Sequence, residues 1–481
     1  MSAIQHKPPV QDSSDSLSML DIEFVFKNRW IRVTAAIGLT FILCLIFVIG
    51  AEQQGEEVNT DISASDQYAY IHYAQNLANS SWNYEGDGNR MPLYPSIMAV
   101  FFRADMTDDS FFELGKKIGI VIALVVIAEA FLIFRRVASL CDALAATLVS
   151  AFTVFAYKAP YFQADVMFYG LGALLFVLLL SLIRKPGVGK ATVGGLVAGL
   201  AHLTKASVLP AVALAVFCLL VVPFFKAMKK LLSSRSQAAL PLRTSPSVSR
   251  SILSAAVLAG CYLLVISPHL MASKQRYGYY FYNVNSTFYV WCDSWDEVSN
   301  GPKAHGDRIG WPDMPADEIP SFRKYFREHS ASAIELRITH GLKATWLSVV
   351  HSYGYAPFFA FYALAACGFL TTRETLVRMR SRAGELASQA FFISAYFLGY
   401  LLLYAWYSPI AGGNRFILSL FLPAFVLLLT GITYAKRQNA RFGIRKLKLK
   451  PQMVSPVMTM ALVFYLAVIY QNQIGRIFGG D

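Results

Sequence analysis

Apolar segments of nearly constant length recur along the whole of this 481-residue sequence. Each is about 20 residues long, the length that an α-helix needs to cross the hydrocarbon core of a bilayer. Only 15% of the residues are charged, whereas a soluble domain typically contains about a quarter. We therefore expect an all-α polytopic membrane protein with about 11 transmembrane helices, and the composition argues against an ordinary cytosolic enzyme. The predicted spans are 33–50, 116–134, 140–157, 166–183, 190–204, 207–225, 251–268, 346–370, 386–404, 416–434 and 453–470.

The distribution of basic residues predicts how these spans are oriented. With the N-terminus in the cytoplasm, the cytoplasmic segments carry 26 of the 43 Lys and Arg residues but only seven of the 30 acids. This arrangement obeys the positive-inside rule, and the reverse orientation would place the run RFGIRKLKLK outside. The net charge of +13 is then an orientation signal directed at membrane lipids, and no nucleic acid is expected as a partner.

Three regions follow from this topology. Residues 1–32 form a cytoplasmic N-terminal segment, residues 33–434 form the transmembrane module, and residues 435–481 contain a basic cytoplasmic loop, the last span and an outer C-terminus. The module has two long outer loops, 51–115 and 269–345, and the apolar run PLYPSIMAVFF in the first is too short to span. Loops of this length in a compact protein are usually functional. We therefore expect interfacial helices in these loops and a chemical site on the outer face.

The first outer loop contains a helix that begins at an acid. In SASDQYAYIHYAQNLANSSW the apolar residues recur at helical spacing, which indicates an amphipathic helix with Asp66 in its first turn. An aspartate at this position is either a simple N-cap or a carboxylate directed into a cleft, and the two alternatives carry similar weight on this stretch alone.

The continuation GDGNRMPLYPSIMAVFF adds a basic residue followed by PLYP. An acid, an amphipathic helix and then this motif resemble the first external loop of the polyprenol-phosphate-dependent glycosyltransferases of the GT-C superfamily. Protein O-mannosyltransferases and lipid A aminoarabinose transferases belong to that group. The resemblance implies that Asp66 is the catalytic acid and that Arg90 contacts the lipid phosphate. Gln67 stands where the family usually has a glutamate.

Four further segments resemble the family in the expected order, between about residues 33 and 434. KAPYFQADVMFYG implies a second catalytic acid at Asp165, and GLAHLTKASVLP implies a phosphate-binding Lys205. SPHLMASKQRYGYY and YSPIAGGNRFILSLFLPAF imply that Arg276 and Arg415 also bind the donor phosphate. Structural alternatives remain open for each: a turn aspartate at Asp165, and cations that extend from span ends at the other three positions.

Two other ionisable residues lie in predicted spans. His202, one helical turn from Lys205, is interpreted as a packed or hydrogen-bonded histidine, and Glu129 as a residue of helix packing. The aromatic second loop, YYFYNVNSTFYVWCDSW, either packs against the first loop or stacks on sugar rings.

The resemblance implies a GT-C-type bundle and an inverting hexosyl- or pentosyltransferase of the bacterial inner membrane. Its donor is a polyprenyl-phosphate-linked sugar, and its acceptor is a lipid, polysaccharide or protein that the sequence does not identify. Asp66 is the expected general base, with Asp165 either orienting the acceptor or assisting the base. No cofactor is required, although two acids facing one cleft leave room for a divalent metal. The alternatives are an O-antigen ligase or polymerase type of transferase and a non-enzymatic lipid or polysaccharide transporter.

Overall fold

A computed structural model describes residues 29–82, 86, 88–233, 246–351, 354–438, 440, 442–444 and 447–478. Helices form nearly all of the regular structure in these ranges, which confirms the all-α prediction. The α-helices are α1 (Arg29–Glu57), α2 (Gln67–Asn79), α3 (Leu93–Ala99), α4 (Asp108–Val137), α5 (Leu140–Ser150), α6 (Ala156–Lys158), α7 (Asp165–Arg184), α8 (Val188–Thr204), α9 (Leu209–Ser233), α10 (Pro246–Tyr277), α11 (Val284–Thr287), α12 (Trp295–Asn300), α13 (Phe322–Glu328), α14 (Ala331–Val350), α15 (Ala356–Leu370), α16 (Arg373–Ser381), α17 (Ala383–Tyr407), α18 (Asn414–Ile417), α19 (Phe421–Arg437) and α20 (Val454–Phe478).

Shorter elements complete the described chain. A π-helical turn, Ala151–Phe155, joins α5 to α6. Four 3-10 turns lie at Ala206–Val208, Tyr289–Trp291, Leu418–Leu420 and Pro451–Met453. Two short antiparallel strands, β1 (Phe442–Ile444) and β2 (Leu447–Leu449), form a hairpin in the basic segment before α20.

Eight helical segments of the described chain are long and apolar enough to cross a membrane, so the protein is an integral, polytopic membrane protein. These segments are Ala36–Glu57, Asp108–Val137, Leu140–Lys158, Asp165–Arg184, Val248–Tyr277, Leu386–Tyr407, Asn414–Arg437 and Pro451–Val468. Two shorter apolar helices, Ala206–Val221 and Ala356–Leu370, coincide with further predicted spans. The 17-residue α8 occupies the predicted span 190–204.

The prediction of one continuous span over 346–370 is wrong. The structure divides this stretch between α14 and α15. Pro357 lies in the first turn of α15, where a missing N–H is tolerated. α14 ends before this point, at Val350 with His351 as its C-cap, so it does not continue into α15. The second long loop therefore returns through α14 before the chain re-enters an apolar helix.

Both long loops contain short helices, as predicted. The first contains α2 and α3, and the second contains α11, α12 and α13. The run PLYPSIMAVFF forms the seven-residue α3, with Tyr94 and Met98 buried. Its partners in the core include Ile71 on α2 and Phe111 on α4. These contacts fix the first loop against the start of α4.

Two glycines of α4 allow a turn of the chain to approach closely. A Cβ atom on Gly119 would lie 2.3 Å from the carbonyl oxygen of Ala159, and one on Gly115 would lie 2.1 Å from a ring carbon of Phe162. Neither separation is sterically allowed, so only glycine fits at these positions. The turn that follows α6 and leads into α7 is thereby positioned by α4.

A second pair of glycines brings α8 against α10. Cβ atoms on Gly195 and Gly199 would lie 2.6 Å and 2.4 Å from the Cβ atoms of Cys261 and Val265, respectively. Small residues four apart are a common device for close helix packing in membranes. This packing sets the height at which α8 ends, and Lys205 follows at that end.

The opposite ends of several helices are joined by a buried ion pair. Asp142 is 2% exposed and lies in the first turn of α5. Its Oδ1 accepts a hydrogen bond from Lys436 Nζ at 2.7 Å and another from Ser455. The ion pair and the Ser455 hydroxyl connect α5, α19 and α20.

Candidate active site

Asp66 lies between two arginines that are distant in the sequence. Arg90 Nη2 is 2.8 Å from Asp66 Oδ1, and Arg415 Nη1 contacts Oδ2. Asp66 is the N-terminal flanking residue of α2, but its side chain accepts no capping hydrogen bond from this fully described helix. The structure therefore favours the carboxylate directed at other groups over the simple N-cap.

Burial and two positive charges determine the ionisation state of the Asp66 carboxylate. Burial raises the pKa of Asp66, but the positive charges and hydrogen bonds of Arg415 and Arg90 outweigh it and lower the pKa to about 2. Asp66 is therefore ionised at neutral pH. The backbone before it is strained, because Ser65 has a φ of 63°, a left-handed conformation that non-glycine residues rarely adopt. Strain of this kind is found at functional sites more often than elsewhere.

Gln67, at the position where the sequence resemblance leads us to expect a glutamate, is a fully buried structural amide. Its Nε2 donates to Asn59 Oδ1 at 2.8 Å, and its Oε1 accepts from Asn59 Nδ2 and from the Phe162 N–H, both at 2.9 Å. Asn59 Nδ2 also donates to the carbonyl of Pro160 at 2.6 Å. This network connects the start of α2 to the turn between α6 and α7. A glutamate here would lose the donor that the network needs.

We expect Gln67→Ala to destabilise the protein by about 2–4 kcal/mol, since it removes the hydrogen-bond donor to the buried Asn59 Oδ1 and the acceptor of the Phe162 N–H. Thermal unfolding of the detergent-purified protein would show this as a lower Tm. Gln53→Ala is the control, because Gln53 bonds only to the nearby Glu57 on an exposed surface. Equal Tm values for the two variants would show that the Gln67 network is not needed for stability.

A second acid, Asp165, begins α7 and is 3% exposed. Its Oδ1 contacts Lys205 Nζ, and its Oδ2 lies 3.9 Å from Lys158 Nζ. Asp165 is therefore not a simple turn aspartate, and Lys205 does not extend freely into solvent. Lys158 was not predicted from the sequence. The one available signal was a lysine at the end of an apolar span, seven residues before the predicted acid in KAPYFQAD.

Tyr70 on α2 contacts both ion-pair groups electrostatically. The Arg90 guanidinium lies 5.7 Å from the centre of its ring. Burial raises the pKa of Tyr70, Asp66 and Asp165 raise it further, and Arg90 and Arg415 lower it. The two carboxylates and the cations therefore belong to one group at the ends of several helices. We call this group the site cluster; it comprises Asp66, Arg90, Lys158, Asp165, Lys205 and Arg415. Its formal charge is positive, because four cations surround two acids.

The second long loop holds the segment that carries Arg90. The Tyr277 hydroxyl donates to the Gly86 carbonyl at 3.1 Å, and the Val284 N–H donates to the Gly88 carbonyl at 2.9 Å. Asn283 Nδ2 donates to the carbonyl of Asn89 at 2.9 Å. Asn285 bonds to the Asn89 side chain and accepts from the Tyr407 hydroxyl at 2.8 Å. The aromatic loop thus packs against the first loop and fixes Arg90 indirectly.

A separate group of polar contacts anchors the second loop to α14 and α17. Asp293 accepts from Arg337 Nη1 at 2.9 Å and from His329 Nε2 at 2.6 Å. The Arg337 guanidinium also lies 4.6 Å from the Trp406 ring. This group is a structural tie and contains none of the predicted site residues.

Arg276 is not brought into the site cluster. It is exposed in the last turn of α10, with its guanidinium 5.5 Å from the Tyr277 ring.

His202 is 4% exposed, and its Nδ1 is 2.9 Å from the Tyr262 hydroxyl, which agrees with the interpretation as a packed, hydrogen-bonded histidine. Glu129 lies against Gly170, where a Cβ atom would be 2.7 Å from its carboxylate. This contact between α4 and α7 is consistent with helix packing.

A small apolar cavity opens next to the site cluster. Phe168, one turn after Asp165, lies at its near end, where Lys205 Nζ is 5.8 Å from the ring centre. The cavity continues along α7 to Phe176 and is bordered on the far side by Tyr396 and Tyr400 of α17. A charged group and an apolar recess therefore adjoin each other.

Among the described residues, the acids of the site cluster are not part of a metal-ligand group. In the ranges that the structure describes, no group of three His, Cys, Asp or Glu side chains has the arrangement of metal ligands. Asp66 and Asp165 each face two cationic side chains instead.

Comparison with known proteins identifies one distant similarity. No protein-family model matches the sequence, and no curated protein matches it. Among solved structures, the chain is similar to the crystal structure of ArnT from Cupriavidus metallidurans bound to undecaprenyl phosphate. The two are 15% identical over 84% of this chain and 78% of the other, with a TM-score of 0.32. At this score the similarity assigns neither a family nor the role of any residue.

Proposed function

We propose that this protein is a membrane glycosyltransferase of the GT-C type that takes a sugar from a polyprenyl-phosphate donor. The observation that carries the proposal is the carboxylate of Asp66 held between Arg90 and Arg415. The positive surplus of the site cluster suits a phosphate group, which arginine binds in bidentate fashion.

The two arginines have a double role in this mechanism. In the free protein they neutralise Asp66. When the donor phosphate binds, it competes for the same guanidinium groups, and the Asp66 carboxylate becomes available as a base. Lys205 supplies further positive charge near the phosphate, at the end of α8. The charge that develops on the leaving phosphate is stabilised by cations already in position, which is an efficient form of catalysis.

The chemical step is a direct displacement. The acceptor oxygen forms a bond to the anomeric carbon while the carbon–oxygen bond to the phosphate breaks, and the electron pair of that bond stays on the phosphate. The acceptor proton passes to Asp66, which must lie within hydrogen-bond reach of it. A single base and no covalent intermediate give inversion at the anomeric carbon. Asp165 orients the acceptor or assists the base.

The charge distribution supports an outer-face site in a bacterial inner membrane, with the N-terminus in the cytoplasm. The acceptor is a lipid, a polysaccharide or a protein. A ligase or polymerase type of transferase would use the same cations with a polymeric substrate. A transporter is less well supported, because the charged groups lie at helix ends rather than along a mid-membrane path.

Release of undecaprenyl phosphate from a labelled undecaprenyl-phosphate sugar by the purified protein tests this function. We expect release to depend on added membrane extract as the source of acceptor. In proteoliposomes, movement of the intact lipid between leaflets without release of undecaprenyl phosphate would contradict the proposal and indicate a transporter.

The pH dependence of the reaction tests the double role of the arginines. The pKa of Asp66 is lowered to about 2 in the free protein. It rises toward the ordinary value of about 3.9 once the phosphate occupies the arginines. The acid limb of kcat, which reports the enzyme–substrate complex, should therefore lie at higher pH than that of kcat/KM, which reports the free enzyme. Coincident acid limbs would contradict the exchange of partners.

A further inference from the structure

Lys158 and Asp165 face each other across a gap that neither side chain closes. Lys158 Nζ and Asp165 Oδ2 are 3.9 Å apart, beyond hydrogen-bond distance. Their side chains are only 8% and 4% exposed. Among the described residues, the buried Asp165 Oδ2 has no hydrogen-bond partner, and Lys158 Nζ lies 5.3 Å from the centre of the Tyr161 ring. A carboxylate oxygen with unused hydrogen-bonding capacity thus lies beside a largely buried ammonium group in the site cluster.

The gap has the size for one bridging oxygen. An oxygen atom about 2.8 Å from each group, the usual length of such hydrogen bonds, would form a triangle over this separation. That oxygen must accept from the ammonium and donate to the carboxylate. A hydroxyl does both with a single atom, whereas a phosphate oxygen cannot donate and would be repelled by Asp165.

The local backbone points to the same position. Lys158 follows the π-helical turn Ala151–Phe155, and π turns within helices occur frequently at functional sites. The turn after Lys158 is held from one side by Gly119 and from the other by the Gln67 network. The two residues that border the gap are therefore placed on fixed elements.

We propose that Lys158 and Asp165 form a subsite for a sugar hydroxyl, with Lys158 donating to the oxygen and Asp165 accepting its proton in a hydrogen bond. The inference rests on the proposed glycosyltransferase function and adds Lys158 to its site. The hydroxyl belongs either to the transferred sugar or to the acceptor, and the chemistry of recognition is the same for both.

The test compares Lys158→Gln with Asp165→Asn, which change the local charge in opposite directions. For each purified variant, the Kd is measured for undecaprenyl phosphate and for the same lipid carrying a hexose. The ratio of the two Kd values isolates the contribution of the sugar. Lys436→Gln is the matched control, since it breaks a buried lysine–aspartate pair at the other end of the helices. Unchanged Tm values confirm that the variants are folded and that the comparison is valid. If Lys158→Gln fails to fold, Lys158→Met takes its place.

If the hydroxyl belongs to the transferred sugar, the preference for the sugar-carrying lipid over undecaprenyl phosphate, given by the ratio of the two Kd values, falls roughly 10-fold in both variants. The reason is that each variant removes a hydrogen bond to a charged group. If it belongs to the acceptor, the ratio is unchanged, and the rate of transfer in native membranes at saturating donor falls roughly 10-fold in both. Opposite effects on binding of undecaprenyl phosphate itself would show that Lys158 is a phosphate ligand and overturn the proposal. Ratios and rates equal to those of Lys436→Gln would also overturn it. Failure of the wild-type protein to bind undecaprenyl phosphate would instead refute the proposed function.

Discussion

Replacing Asp66 with asparagine is expected to lower the rate of sugar transfer by at least about 100-fold, the usual contribution of a positioned general base. An amide has nearly the shape of the carboxylate but cannot take the acceptor proton. The substitution also frees the charges of Arg90 and Arg415 from their anionic partner. Binding of undecaprenyl phosphate should therefore be kept or strengthened while transfer is lost. The two quantities are measured by Kd and by release of undecaprenyl phosphate from the labelled donor.

Asp61→Asn is the matched control for this variant. Asp61 lies in the same loop and is exposed, and its carboxylate accepts hydrogen bonds from the neighbouring Ser63. The control should transfer sugar at the wild-type rate, and both variants should accumulate in membranes at the wild-type level. Wild-type turnover by Asp66→Asn would remove Asp66 from the role of base. Loss of both binding and transfer would indicate a structural role instead.

Replacing either site arginine with alanine is expected to raise the KM for the lipid donor by about 10- to 100-fold. A hydrogen bond to a charged group contributes about 1.5–3 kcal/mol, which corresponds to that range. Arg90→Ala and Arg415→Ala should each show the effect, since both guanidinium groups lie on Asp66. Arg90→Lys should recover part of the affinity, because it keeps the charge but not the bidentate geometry.

Arg103→Ala serves as the control for the arginine variants. Arg103 pairs with Asp105 on the surface of the same loop, with both side chains largely exposed. Such pairs contribute little, so donor KM should stay at the wild-type value. A donor KM that is equally unaffected in Arg90→Ala and Arg415→Ala would show that the phosphate binds elsewhere.

Sequence patterns located the helices and most of the clustered residues. Apolar blocks of spanning length predict helices because the bilayer imposes their length, and Asp66, Arg90, Asp165, Lys205 and Arg415 do meet at helix ends. Other features depend on contacts that no local pattern reveals. Lys158 looks like any lysine at a span end until the turn after it is folded against α4. Gln67 stands where an acid was expected, and its amide N–H donates a hydrogen bond to Asn59 that an ionised acid could not make.

One predicted span is divided in the structure, and one predicted site residue lies apart from the site cluster. The end of α14 at Val350 and the start of α15 at Ala356 fall within one apolar stretch, so the division is lost when hydropathy is averaged over the segment. Arg276 lies beside the aromatic part of the second loop but points to its surface. The order of residues along a chain specifies the element that carries a side chain more reliably than the direction in which it points.

The pairing of Asp66 with Arg415 joins residues 349 positions apart. During synthesis, a chain that has emerged only as far as the second loop has the acid and one arginine but not the other. The pair is complete only after the ribosome has passed residue 415 and the helix that follows has been inserted. A partly made chain therefore lacks the complete set of cations around Asp66, and this site is assembled only late in synthesis.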